Sequence, residues 1–226
     1  MCRRYALPAS LVAEREFLPT HAWWKFEERS NVAPSQYVPT LRLHNDTVEG
    51  VMMRWGLIPN WAEGKSQAKN TETVEVDDLD RSKVFKMPWL SSQRCIMPMA
   101  GFYSWRRSSA NYLQPYFVSV RSRQVFGVAA IWDRSTADGD DVIESCSIVT
   151  VSATPSLEDA ATMQFSMPAI LRRRDYGVWL KGTPVEAKAA LHTYPDGWLQ
   201  QHPVSPRINS LEPDDLGLRR PIEPSS

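Results

Sequence analysis

The sequence predicts a single α+β domain, mainly antiparallel β, with its sheet curling on itself. Three observations lead there. The 17 prolines recur every dozen residues or so, which excludes a bundle of long helices. Apolar segments with period-two alternation, or continuous and bounded by turn residues, outnumber helical ones. The chain has 226 residues, 42% of them hydrophobic, which suits one domain with a sizeable core; two small domains are the alternative.

A short helix is predicted first, over 10–18 (SLVAEREFL). Strands follow at 38–43 (VPTLRL), 48–57 (VEGVMMRWGL) and 94–105 (RCIMPMAGFYSW). PYFVSV and QVFGVAAIW, separated by RSR, read as a hairpin over 115–132, and SCSIVTVSA adds a strand at 145–153. Three further segments carry helix signals. PSLEDAAT at 155–162 has Thr154 as N-cap and Pro155 in the first turn. RRRDYGVWLKG at 172–182 is partly helical, and PVEAKAAL at 184–191 is capped by Thr183 with Pro184 at its start. From Pro203 the chain is proline-rich and is expected to wrap the surface or fray. No internal repeat or low-complexity linker divides the chain.

Basic and acidic side chains number 26 each, a formal net charge of zero. That argues against a uniformly basic nucleic-acid binder but leaves a local basic groove open. Basic clusters lie at Arg3-Arg4, Arg106-Arg107 and Arg172-Arg173-Arg174; acidic ones lie at Asp77-Asp78 and in DGDD. For any single cluster a solvated face is the commoner meaning. No apolar run reaches the length of a membrane span and no signal peptide opens the chain, so a cytoplasmic protein is expected. The three cysteines, Cys2, Cys95 and Cys146, are odd in number and lack CxxC spacing, which argues against a disulfide framework and a zinc site. Cys95 and Cys146 sit in apolar strands and read as small buried hydrophobes, leaving Cys2 as the reactive candidate.

Several short motifs occur in a telling order: MCRRY at the start, NVAPSQYVP at 31–39, WGLIPNWA at 55–62 and KNTETVEV at 69–76. SKVFKMPWLSSQRCIMPMAGFYSW at 82–105, FGVAAIWD at 126–133, IVTVSATPSL at 148–157, MPAIL at 167–171 and HPVSPRINS at 202–210 continue the series. In this order they resemble the SOS-response-associated peptidase (SRAP) family, proteins that shield abasic sites in single-stranded DNA. The resemblance implies one compact α+β domain over 1–226 around a distorted β-barrel, with 203–226 as its tail. It also implies loss of Met1 by self-cleavage, after which Cys2 offers a free α-amine and a thiol to the aldehyde of an abasic deoxyribose. The amine, with a reference pKa of about 7.7–8.0, forms an imine and the thiol closes a thiazolidine ring.

From the resemblance, Asn70 lies beside the cysteine, Arg4 contacts DNA, and Pro34 and Trp61 form an apolar wedge at a strand junction flanked by Val84 and Phe85. Core packing is the reading for Trp55, Trp89, Trp105 and Trp132. The expected partner is single-stranded or junction DNA with abasic sites, bound by a monomer without cofactor, metal or membrane.

This chain departs from the family pattern at its chemistry. A phosphate-contacting arginine two residues after the asparagine is replaced by Glu72, reversing the sign of that contact; a one-residue shift brings Glu75 into the place of the family's nearby glutamate. The catalytic glutamate of the family is Ser104, which lacks a titrating group near neutral pH. Its histidine is Gln164, and the adjoining phosphate arginine is Ser166. The glycine that commonly follows the cysteine is Arg3, which either crowds the sugar or lowers the pKa of the thiol and amine. These departures imply slow or absent catalysis and impaired Met1 removal. Covalent capture of abasic sites is therefore weighed against a catalytically inactive binding module for DNA or a protein. A thiol peptidase acting on other proteins is a weaker third reading, for want of a paired histidine.

Overall fold

A computed structural model describes residues 3–63, 69–107, 112–138, 141–158, 165–212 and 214–223. Strand β1 (Tyr5–Leu7) leads to helix α1 (Ser10–Phe17), the short β2 (His21–Ala22) and β3 (Arg29–Val32). Then β4 (Tyr37–His44) and β5 (Thr47–Trp55) form a two-residue hairpin. Its turn residues Asn45 and Asp46 both have positive φ, 47° and 61°, the backbone that matches the twist of paired strands. After β6 (Thr73–Glu75) comes helix α2 (Lys86–Leu90), then β7 (Arg94–Met99), β8 (Gly101–Arg107) and β9 (Leu113–Val120). The long β10 (Phe126–Asp138) and β11 (Asp141–Ser152) are followed by β12 (Ser166–Pro168) and β13 (Ile170–Leu171). Helices α3 (Tyr176–Lys181) and α4 (Pro184–Ala189) precede the last strand, β14 (Leu199–Pro203).

The strands make two sheets. One has the order β14-β9-β8-β1-β3; the other runs β12-β11-β10-β7-β4-β5-β2, with β6 and β13 paired to its side. The second sheet closes. Parallel pairing of β11 with β5, Ser145 opposite Arg54 and Cys146 opposite Trp55, joins the ends of the β11-β10-β7-β4-β5 series into a five-stranded barrel. Closure removes the exposed edges that these strands otherwise present. The fold class expected from sequence, α+β with a distorted and mainly antiparallel barrel, is what the chain adopts.

The run RCIMPMAGFYSW is two strands rather than one. The chain leaves the barrel after Met99 and enters the other sheet at Gly101. A Cβ on Gly101 would lie 2.3 Å from the Phe117 ring and 2.7 Å from the Val118 carbonyl, so only glycine permits this corner. The predicted hairpin over 115–132 does not form. β9 pairs with β8 and β14, while β10 pairs with β7, β11 and β13. Both strands are buried enough to alternate correctly, but the RSR connection carries the chain from one sheet to the other.

The helix predicted at 10–18 is present at Ser10–Phe17, ending with Leu18 in the left-handed region (φ 45°). Thr183 and Glu186 make a reciprocal capping box at the start of α4, as the sequence suggests. Of the helix predicted at 155–162, residues 155–157 form a turn and 159–164 lie outside the described residues. The C-terminal segment wraps the outer face of the five-stranded sheet. Val204, Ile208 and Leu218 are buried there against Ala6, Tyr103 and Phe117. Asp214 accepts from the amides of Ser30 (2.6 Å) and Asn31 (2.8 Å).

A buried arginine ties the helices to the barrel. Arg94 at the start of β7 is 2% exposed, and its guanidinium lies 5.6 Å from the Trp89 ring on α2 and 5.9 Å from the Trp179 ring on α3, two rings that themselves pack 6.0 Å apart. It donates to the carbonyls of Trp179 and Gly182. Hydrogen bonds from a charged donor contribute about 1.5–3 kcal/mol each. Arg94→Met is therefore expected to lower unfolding free energy by roughly 2–4 kcal/mol in a denaturant titration. A loss under 1 kcal/mol would show that the helices dock without it.

Candidate functional site

The segment from residue 70 to 75 is laid along the barrel wall. β6 runs parallel to β11, with Thr73 opposite Ile148 and Val74 opposite Val149. The Glu72 carbonyl accepts from the Trp55 indole (2.8 Å) and the Ile148 amide (3.0 Å), and the Thr71 carbonyl accepts from the Leu57 amide (3.2 Å). Just before this anchor the chain turns through Asn70, whose φ of 56° lies in the left-handed region that asparagine enters more readily than most residues. Three side chains converge at the turn. Arg3 donates through Nε to the Glu72 carboxylate at 2.8 Å and through Nη2 to Asn70 Oδ1 at 3.3 Å. The Glu72 side chain is 9% exposed and that of Arg3 is 49% exposed. This group forms one residue from Cys2. Cys2 and Gln164 themselves lie outside the described residues.

β1 carries Arg3 and Arg4 into place. Tyr5 pairs with Phe102 and Ala6 with Gly101, and the Arg4 carbonyl accepts from the Tyr103 amide at 3.1 Å. Arg4 Nη1 donates to the Arg3 carbonyl at 2.9 Å, and partial burial lowers the pKa of its guanidinium. Carrying the register two residues back from Tyr5 sets Arg3 level with Ser104. Ser104 is 1% exposed, and its hydroxyl has no hydrogen-bond partner among the described residues. A buried hydroxyl with no base beside it neither gives nor takes a proton.

The residues expected to form the wedge lie on two loops. Pro34 is half-buried in a turn where Ser35 has a φ of 74° and its amide donates to the Trp55 carbonyl at 2.7 Å. Trp61 is 43% exposed at the tip of the other loop. Below it, the Ile58 amide donates to Ser145 Oγ (2.8 Å), the Asn60 amide to Asp133 Oδ2 (2.9 Å), and Ile58, Ala62 and Ile143 form a small apolar cluster. Burial raises the Asp133 carboxyl above its usual pKa, against the pull of these donors. Lys83 Nζ sits 4.6 Å from the Trp61 ring centroid, a contact the sequence reading missed. Val84 is half-buried beside it. Phe85, expected to flank the wedge, is 7% exposed and belongs to the core. Trp55 and Trp89 are buried as expected, while Trp105 and Trp132 are partly exposed.

Other nucleophiles and bases are placed elsewhere. Burial pushes the Cys95 thiol well up and the Cys146 thiol to about 12, which makes both inert. His202 contacts the Arg219 carbonyl (2.8 Å) on β14, His21 stacks on Trp23, and His44 is exposed at the end of β4. No group of three or more His, Cys, Asp or Glu that could hold a metal occurs among the described residues. No helix among them is long and apolar enough to cross a membrane.

The pairing of Arg3 with Glu72 went unseen in the sequence because 69 positions separate them. Its one legible signal is that both departures from the family pattern carry charge, and the charges are opposite. Because Arg3 is half exposed, a double-mutant cycle of Arg3→Ala and Glu72→Ala is expected to give a coupling of about 0.5–1 kcal/mol in unfolding free energy. Coupling indistinguishable from zero would dissolve the pair. For Ser104→Ala, removing an unpaired buried hydroxyl is expected to leave stability unchanged or raise it by about 1 kcal/mol. A loss above 1 kcal/mol in thermal or chemical unfolding would reveal a partner for that hydroxyl.

Comparison with known proteins bears on this arrangement. The sequence model of the family described as SOS response associated peptidase (SRAP) matches residues 1–211. The abasic site processing protein YoqW of Bacillus subtilis is 27% identical over 219 residues, covering 93% of this chain and 95% of that protein. The abasic site processing protein HMCES of Pongo abelii is 28% identical, covering 86% of this chain and 68% of that one. Among solved structures, a Bacteroides thetaiotaomicron protein superimposes with a TM-score of 0.85 at 21% identity, over 98% of this chain and 100% of its own. A phage-related protein from Bordetella bronchiseptica gives 0.66 at 18% identity, covering 90% and 94%. With the family match spanning nearly its whole length, this chain belongs to the SRAP family.

Proposed function

We propose that this protein captures abasic sites in single-stranded or gapped DNA, through a covalent bond to Cys2 once Met1 is removed. The observation that carries the reading is the Arg3, Asn70 and Glu72 cluster, built one residue from Cys2 in a chain of this family. Relatives over nearly the full chain bear the name of abasic site processing proteins. The chemistry needs no cofactor. The α-amine adds to the ring-opened aldehyde and water leaves, giving an imine. The thiolate then attacks the imine carbon, the nitrogen takes up a proton, and a five-membered thiazolidine closes. Intramolecular closure makes this second step favourable.

In this reading Glu72 and Asn70 act on the amino end through Arg3. Their contacts hold Arg3 against the barrel wall and restrict the approach of the neighbouring amine. Glu72 also neutralises Arg3, so a free cation is not left beside the amine to depress its pKa. Trp61 and Pro34 offer the surface on which an unpaired base stacks. Ser104 contributes no proton transfer, so capture runs at the pace of the aminothiol itself and is slow. A non-covalent binding module is the second reading, favoured by that same unpartnered Ser104 hydroxyl.

One gel distinguishes them. After intact mass shows whether Met1 is lost, the protein is incubated with an oligonucleotide bearing one abasic site and run under denaturing conditions. A shifted band that disappears in Cys2→Ala is expected. Trp61→Ala is expected to weaken binding of the same strand by about 5- to 150-fold, the equivalent of roughly 1–3 kcal/mol of stacking. No band from protein with Cys2 exposed, alongside retained strand binding, would overturn capture in favour of the binding module.

A further inference from the structure

We infer that the arginine-rich cleft at the far end of the five-stranded sheet is a second binding site for unpaired DNA. The cleft has a volume of about 950 Å³ and is lined by Arg121, Arg123, Arg172, Arg173, Arg174 and Trp198. It lies away from the amino end. Arg121 follows Val120 at the end of β9, whereas Arg3 is level with Ser104 and hence with Tyr116, five residues back along the same strand. At the rise of a β-strand that is about 17 Å along the sheet.

The charge here is unbalanced in a chain whose formal net charge is zero. Glu16 is shared by Arg123 and Arg173, and Asp175 lies 3.8 Å from Arg174. Asp196, on the rim, is taken up by Ser156. Five guanidiniums thus face three carboxylates even with the rim included. Among the described residues neither Arg121 nor Arg172 meets a carboxylate. Arg121 donates to the Leu199 carbonyl at 2.9 Å, and Arg172 has a buried Nε with no hydrogen-bond partner.

The aromatic part is equally specific. Trp198 is 52% exposed although it is among the largest side chains in the protein. Its ring is set edge-on to Tyr194, with centroids 5.7 Å apart, and the Arg172 guanidinium lies 6.0 Å from its centroid. An indole held firmly at one edge, with cations around it, suits a flat anionic chain: bases stack on the indole and phosphates meet the guanidiniums. A duplex presents no unpaired base face to such a platform. The choice of DNA over other strands rests on the reading above; the cleft itself does not depend on the chemistry at Cys2.

Fluorescence anisotropy with a labelled fifteen-nucleotide thymidine strand, which has no abasic site, tests the inference. Trp198→Ala is expected to weaken binding by about 5- to 100-fold, with Trp198→Phe recovering most of it. The double variant Arg172→Gln and Arg174→Gln is expected to flatten the dependence of log affinity on log salt by about 1 to 2. Circular dichroism and unchanged unfolding midpoints keep misfolding from imitating the effect. If the cleft variants bind like the parent while Trp61→Ala loses affinity, the second site is wrong and the amino-end surface stands. Equal loss for a strand of ribouridine, with the thymidine strand unaffected, would also overturn it. Loss in the cleft variants without any covalent band elsewhere would leave the cleft standing and remove the capture reading.

Discussion

Trp55 is the point on which the site depends. It lies at the seam where β5 meets β11 in parallel, opposite Cys146, and it is fully buried. Its indole donates to the Glu72 carbonyl, its carbonyl accepts from the Ser35 amide, and its amide donates to the Gln36 carbonyl. Its ring meets Tyr5 edge-on at 5.2 Å. One side chain and one peptide therefore fix the Asn70–Glu72 turn, the Pro34 turn and the strand that leads back to Arg3. The next residue, Gly56, turns with a φ of 109° and starts the loop that displays Trp61. Barrel closure and assembly of the site are the same event, because the residue that closes the barrel is the one the loops are tied to.

Charge placement is the second constraint. Against the family pattern, Glu72 alone would reverse a phosphate contact, and Arg3 alone would either crowd the sugar or lower the pKa of the thiol and amine. Considered together, they are one ion pair, and each removes the objection raised by the other. The carboxylate is not left to repel a strand, and the guanidinium is drawn aside onto the Asn70 turn. What remains for phosphate at this end is modest. Arg4 is partly buried and Lys83 lies over Trp61. Under the proposed function, attraction at this end would be carried by stacking more than by cations, and stacking is little affected by salt.

Much of this architecture was legible in the sequence, for local reasons. Strand alternation, helix α1 and the Thr183 cap are written in neighbouring residues. Other features were not. The single run from Arg94 to Trp105 divides between sheets at Gly101, and nothing local marks a change of sheet in a continuous apolar segment. The hairpin expected over 115–132 has correct strands and a plausible turn, yet its partners come from residues far away in the chain. Helix α2 escaped notice because KMPWL is one turn long with a proline inside it. At the site, motif alone singled out Asn70, Trp61, Pro34 and Phe85, and a motif does not report burial: Phe85 lies in the core. The Arg3–Glu72 pair exists only in three dimensions.

The arginines of the 172–174 run show how a bland sequence feature changes meaning when folded. As a string they are three charges on a solvated face. In the structure Arg173 is consumed by Glu16, Arg174 approaches Asp175 at 3.8 Å, and Arg172 stands beside an exposed indole with a buried donor unpaired. A net charge of zero is thus not evenly spread neutrality. The amino end is locally neutralised by Glu72, and the excess cation lies at the opposite end of the same sheet. A strand bound by both ends would be gripped electrostatically at one and by stacking at the other, which divides the holding of DNA from the chemistry done on it. Under the proposed function, residence on the strand supplied by the cleft would compensate for a slow reaction at the amino end.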